Sequence, residues 1–103
     1  MLLNVIEAGQ GPAVVLVHGL FGMARSLGFV QRALASRFRV LALDLRNHGT
    51  SPHAPDMRFD VMAEDVRETL ADRGALGAAV IGHSMGGKTV MRLALRHPDA
   101  VGR

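Results

Sequence analysis

Gly82-His83-Ser84-Met85-Gly86-Gly87-Lys88-Thr89 is the stretch on which the fold turns. An apolar run, Ala78–Ile81, leads into it. A helical segment leads out of it as far as His97, where Pro98 stops it. Two motifs lie over these residues. Gly82 to Gly86 fits G-x-S-x-G, the nucleophile elbow. A serine hydroxyl is a poor nucleophile unless it is exposed and activated, and a sharp turn from strand to helix lifts it out of the sheet. Residues two before and two after the serine then crowd together, so Gly82 and Gly86 supply positions without a Cβ. The helix that starts beneath the serine offers its dipole and the Met85 N–H to a developing oxyanion. Gly82 to Thr89 also fits G-x-x-x-x-G-K-T, the phosphate-binding P-loop, with Lys88 for the β/γ-phosphates and Thr89 for Mg²⁺. As bare patterns, the P-loop is the more restrictive.

The surrounding sequence decides between them. Leu2–Glu7 is a candidate first strand, and Gly9-Gln10-Gly11-Pro12 a turn. Ala13–His18 is a continuous apolar run that predicts a buried strand, and Arg39–Asp44 is another. Leu27, Val30 and Leu34 recur at helical spacing, which predicts a helix over 25–36. Asn47–Pro55 is a loop. Met62, Val66 and Leu70 lie four apart, which predicts a helix from Val61 to Arg73 with Asp60 as N-cap and Gly74 just past its end. Ala78–Ile81 completes the strands. This alternation is the signature of an α/β fold, a mostly parallel sheet with helices on both faces, and ligand chemistry in such folds sits at the carboxyl ends of the strands. A P-loop usually follows the first strand, with an apolar run ending in a metal-binding Asp downstream. Here the only such run, Val40–Asp44, lies upstream. The elbow instead calls for a second oxyanion donor from an earlier loop, and His18-Gly19-Leu20-Phe21-Gly22 stands where it is needed.

Composition narrows the function. The chain has 103 residues, enough for one small domain. Its net charge of +3 and pI near 11.0 come from arginines scattered along the chain, beside a single lysine and no tyrosine or cysteine. Without clustering or interleaved aromatics this is no nucleic-acid footprint. No apolar run approaches the twenty or so residues of a membrane span, and Met1-Leu2-Leu3-Asn4 does not open a signal peptide, so a cytoplasmic protein is expected. There is no cysteine, and the five histidines show no metal-ligand spacing, so neither metal nor cofactor is expected.

Val17-His18-Gly19-Leu20-Phe21-Gly22, Arg46-Asn47-His48-Gly49-Thr50-Ser51-Pro52-His53, Pro55-Asp56-Met57 and Gly82-His83-Ser84-Met85-Gly86-Gly87-Lys88 together carry a family resemblance. Over its whole length the chain resembles the α/β-hydrolase superfamily. Within it, the chain is similar to the esterases of the YbfF and α/β-hydrolase-domain-protein-eleven type. The resemblance implies Ser84 as acyl-accepting nucleophile, Leu20 and Met85 N–H groups as oxyanion hole with Phe21 as the alternative second donor, and Gly82 and Gly86 as elbow glycines. It implies a small acyl ester or thioester substrate, apolar on its acyl side. Serine at position 84 sets the chain apart from the dehalogenase and epoxide-hydrolase branches, which use aspartate there.

The superfamily's order is Ser, then acid, then His. After Ser84 come only His97 and Asp99, at the far end of the helix, roughly 20 Å away at 1.5 Å per residue. Neither can serve as the triad base or acid. Residues 1–103 are therefore expected to be the N-terminal part of an α/β-hydrolase core with later strands absent and with little turnover of their own. In the strand order the resemblance implies, Ala78–Ile81 lies mid-sheet, so it is expected to be left here as an exposed apolar edge. Two other readings stay open: a P-loop nucleotide binder, and a non-catalytic half-fold that acts as an interaction module. Of the remaining residues, His18 is expected to brace the oxyanion loop, His48 and His53 to brace the site from their loop, and His83 to pack or line the pocket. Asp44 is expected to anchor the following loop through backbone N–H groups, Lys88 to be solvated, and Met62 and Met91 to be core. Asp60, Glu64, Asp65, Glu68 and Asp72 are expected on a solvated helix side, with Arg67 pairing Glu64.

Overall fold

The computed structural model describes residues 1–103. The sheet has four strands: β1 (Val5–Ala8), β2 (Ala13–Val17), β3 (Arg39–Leu43) and β4 (Ala79–Gly82). Between β2 and β3 come a 3-10 turn (Ala24–Leu27) and α1 (Gly28–Leu34). Helix α2 (Phe59–Asp72) joins β3 to β4, and α3 (Met85–Arg96) follows β4. The order across the sheet is β1-β3-β2-β4. β2 runs parallel to β3 and to β4, and β1 runs antiparallel to β3.

The apolar runs are continuous because both faces of the sheet are covered. Val15, Val17, Leu41 and Leu43 point to one face, where they pack with Ala63, Val66 and Leu70 of α2 and Leu93 of α3. Val14, Leu16, Val40 and Ala42 alternate with them and meet Ala24, Leu27 and Leu34 on the other face. From β2 the chain crosses to β3 by way of α1, then passes back over β2 by way of α2 to reach β4. The carboxyl end of β2 is thus the point where strand order reverses, and a crevice opens there.

Several boundaries shift for identifiable reasons. The first strand starts at Val5 rather than Leu2, because the Leu3 N–H donates to Thr69 Oγ1 (3.0 Å) and the Asn4 N–H to Ser51 Oγ (2.8 Å). Side chains take these two N–H groups, while the Asn4 carbonyl accepts the Asp44 N–H just past β3 (3.0 Å). The first helix is shorter than its periodicity suggests, its opening being the 3-10 turn. α2 starts at Phe59 with Arg58 at its N-cap, so Asp60 is not the cap. Asp60 lies in the first turn and pairs with Arg92 of α3 (3.0 Å). Gly74 does end α2, at φ 66°. The Ala75 N–H reaches back to the Leu70 carbonyl (2.8 Å) and the Gly74 N–H to that of Ala71 (3.3 Å), a Schellman closure.

Two core assignments are corrected. Met62 is buried, but Met91 is 61% exposed. Leu93 points to the sheet, and a residue two positions away on a helix faces about 200° round, so Met91 and Leu95 look outward. Asp65, expected on the solvated side, is 2% exposed. No helix is long and apolar enough to cross a membrane.

Candidate active site

Ser84 sits at the carboxyl end of β4 and is the residue before α3. Its backbone is at φ 55°, ψ −113°, a conformation non-glycine residues rarely adopt. Strain of this kind costs on the order of 1–3 kcal/mol and persists only where neighbours enforce it. Serine is a favoured N-cap because its hydroxyl normally closes on the first-turn N–H groups. Ser84 makes no such cap bond; its side chain is exposed and its hydroxyl free.

The glycines explain how the turn closes. A Cβ on Gly82 would stand 2.7 Å from the Gly86 carbonyl oxygen and the Gly87 Cα. A Cβ on Gly86 would overlap the carbonyl oxygens of Val17 and His18. The first turn of α3 therefore lies directly against the end of β2 and the Gly82 peptide. The Met85 N–H, first in the helix, has no acceptor within the chain.

Gly19, from the loop after β2, approaches the serine. A Cβ there would be 3.4 Å from Ser84 Cβ and 3.0 Å from the His83 ring. Ser84, His83, Gly19, Leu20 and Leu27 line an open cavity of about 380 Å³. A second, of about 410 Å³, adjoins it across Leu20 and Gly22 and reaches His48 and Met57. The Leu20 N–H has no partner in the chain, whereas the Phe21 N–H donates to His48 Nε2 (3.1 Å).

The loop after β2 is braced from behind. His18 Nε2 accepts the Leu45 N–H (3.0 Å), so its Nδ1 carries the proton that meets the Gly19 carbonyl (2.7 Å). Burial pushes this imidazole below the ordinary histidine value, outweighing the Gly19 hydrogen bond, which favours the charged form. Asp44 accepts from the Ala24 N–H (2.6 Å), Asn4 Nδ2 (2.9 Å) and the Thr50 N–H (3.1 Å). Burial raises its carboxyl, but these donors outweigh burial and bring it below the ordinary aspartate value. Asp44 thereby anchors the following loop, as the sequence suggested, and through Ala24 also ties it to the 3-10 turn before α1. His83 lines the cavity, and His53 and Lys88 are exposed.

One buried pair was not foreseen. Arg46 Nε and Nη2 clasp Asp65 (2.6 and 2.9 Å), and Nη1 donates to the Asp56 carbonyl (2.9 Å). The pair pins the loop after β3 to α2. The signal was in the spacing, since Asp65 falls on the stripe of Met62, Val66 and Leu70. A carboxylate on an apolar stripe calls for a buried cation.

Neither of two other chemistries is assembled. In a P-loop the backbone wraps the phosphates between strand and Lys, but here α3 has begun at Met85 and both Gly86 and Gly87 are helical. Thr89 is fully buried and donates its hydroxyl to the Met85 carbonyl (2.9 Å), so it cannot face Mg²⁺. No three His, Cys, Asp or Glu side chains converge as a metal site needs. Nor does any histidine bond to Ser84 Oγ; His97, at the other end of α3, bonds Glu64 (2.6 Å).

A sheet reversing at β2, with a strained serine between β4 and α3, defines a class, and residues 12–103 match the family model described as the alpha/beta hydrolase fold. The chain belongs to that family. It is 46% identical over 94 residues to the sn-1-specific diacylglycerol lipase ABHD11 of Mus musculus, covering 89% of this chain and 31% of that protein. It is 44% identical over 88 residues to the esterase YbfF of Escherichia coli, covering 85% of this chain and 35% of that one. Among solved structures, a marine microorganism esterase superposes with a TM-score of 0.94 at 40% identity, covering 97% of this chain and 39% of its own. The chain thus spans about a third of the length of the curated relatives it matches.

Proposed function

We propose that this sequence carries the nucleophile and oxyanion hole of a hydrolase acting on carboxylic esters or thioesters. The observation that carries the reading is the unbonded Ser84 hydroxyl on a strained turn, beside two N–H groups with no acceptor. Ser84 Oγ attacks the acyl carbonyl and loses its proton to a general base. The tetrahedral oxyanion accepts from the Met85 and Leu20 N–H groups. The bond to the alcohol or thiol breaks, the leaving group takes up the proton, and water then hydrolyses the acyl-enzyme. Leu20 is preferred to Phe21 as second donor because the Phe21 N–H is already engaged by His48. Leu20 and Leu27 on the cavity wall support a substrate apolar on its acyl side. The relatives named for esterase and lipase activity support the ester class. The reading requires a general base that these 103 residues do not bring to Ser84.

The test is labelling with a fluorophosphonate, applied to the complete product of the reading frame that contains this sequence. The adduct is expected on the Ser84 peptide, and Ser84→Ala is expected to abolish both adduct and esterase turnover. Turnover that survives Ser84→Ala unchanged would overturn the assignment.

A further inference from the structure

We propose that His48 is a positioning residue which fixes the direction of the Leu20 N–H; the proposal rests on the ester-hydrolase reading above. The Leu20 N–H belongs to the Gly19–Leu20 peptide. That peptide is planar and trans, so its N–H points opposite to the Gly19 carbonyl. The carbonyl is held by His18 Nδ1 (2.7 Å) and by the Gly22 N–H (3.0 Å). The next peptide, Leu20–Phe21, is held by its own N–H, which donates to His48 Nε2 (3.1 Å). With both planes flanking the Leu20 Cα fixed, its backbone cannot rotate without losing one of these bonds.

The hold on Phe21 is needed. Phe21 lies at φ 63°, strained for a bulky residue, and its side chain is 89% exposed, so packing does little to keep it there. The hydrogen bond from its N–H is the restraint. His48 is set up to accept it. Its Nδ1 lies 2.9 Å from the Arg46 carbonyl, which can only accept, so Nδ1 carries the proton and Nε2 the lone pair. The ring packs against His18 with centroids 4.9 Å apart. Arg46 in turn is clasped by buried Asp65. The loop after β3 thus holds the loop after β2, and a side chain some distance along the sequence decides which backbone N–H is free to meet an oxyanion.

His48→Phe keeps a ring against His18 and removes the acceptor. His48→Gln restores an acceptor on a non-aromatic side chain. In the ¹⁵N-labelled complete protein, a scalar coupling across the hydrogen bond between Phe21 N and His48 Nε2 is expected. Measured per fluorophosphonate-titrated site, kcat of His48→Phe is expected to fall roughly 10- to 100-fold with KM within about twofold, and His48→Gln to recover a large part of it. A merely structural His48 would lower the yield of folded protein but leave kcat per titrated site unchanged, and that result overturns the proposal. Absence of the coupling in the wild type overturns it independently. A wild type that shows the coupling but no Ser84-dependent turnover sinks the hydrolase reading itself, and the role of His48 with it.

Discussion

Gly86 and Gly87 are neighbours in the chain with opposite constraints. A Cβ at Gly86 runs into the carbonyl oxygens of Val17 and His18, which belong to a strand end and cannot swing aside. A Cβ at Gly87 meets nothing closer than the Gly82 carbonyl oxygen at 3.3 Å, a gap of a few tenths of an ångström to accommodate. Alanine also favours a helix over glycine by about 0.8–1 kcal/mol. Gly86→Ala is therefore expected to lower the unfolding free energy by about 1–3 kcal/mol, as overpacking does, and Gly87→Ala to stay within about 1 kcal/mol of the parent. Urea denaturation of the two variants beside the parent checks this, and equal midpoints for all three would refute the contact geometry. The need for glycine at 82 and 86 was legible in the motif. What crowds Gly86 was not, because the obstacle lies on β2, much earlier in the sequence. The same holds for Phe21. Its positive φ and its bond to His48 depend on how two loops meet, which no spacing in either loop encodes.

Between elements, the packing of α2 on α3 is bound by charge as well as by apolar contact. Glu64 of α2 accepts from His97 beyond the end of α3 (2.6 Å) and from Arg67 on its own helix (3.1 Å). The His97 bond, with Arg67 adding and burial opposing, lowers the Glu64 carboxyl from 4.5 to about 2. A carboxylate whose pKa is depressed in the folded state adds stability above its unfolded pKa and loses it as pH falls through the folded one. Glu64 should therefore contribute fully above about pH 4.5 and lose that contribution by about pH 2. Glu64→Gln is expected to be less stable than the parent at neutral pH and to converge with it near pH 2. Comparing the two by denaturation across this range isolates Glu64 from Asp44 and Glu7, which are also shifted down. A gap that stays constant with pH would show that Glu64 acts by packing alone. The Glu64–Arg67 pair was legible as an i, i+3 spacing. The His97 contact needs the angle between two helices, and Asp65 was misjudged because charge was counted ahead of its place on the apolar stripe.

At the scale of the whole molecule, alternating strands and helices announced the layers, and continuous apolar runs announced that both faces are covered. Strand order was not readable from the residues themselves, since β2, β3 and β4 are alike in apolar content; only the family resemblance put Ala78–Ile81 at an edge, where β4 lies. The antiparallel β1 was equally hidden. The order has a consequence for association. β4 lies at the rim of the sheet, and beyond it residues 101–103 cover only its start: Val101 bridges to Ala78, the Gly102 N–H donates to the Ala78 carbonyl (2.8 Å) and the Val80 N–H to the Arg103 carbonyl (2.9 Å). Ile81 points to the face that α1 covers, yet it remains 49% exposed, because α1 lies over β2 and β3. On the opposite face Met91 and Leu95 of α3 are 61% and 79% exposed. A strand edge covered only at its start, with Ile81 bare on one face, is a template for another chain, and the outward-facing Met91 and Leu95 of α3 add a separate apolar patch. Residues 1–103 on their own are therefore expected to self-associate with rising concentration in sedimentation velocity. Ile81→Lys with Leu95→Lys should shift it toward monomer, since each ammonium group would have to be desolvated in the contact. Should the parent sediment as a monomer across the whole range, the edge would be protected by its own twist and by the Val101 bridge, and apolar exposure would not drive association.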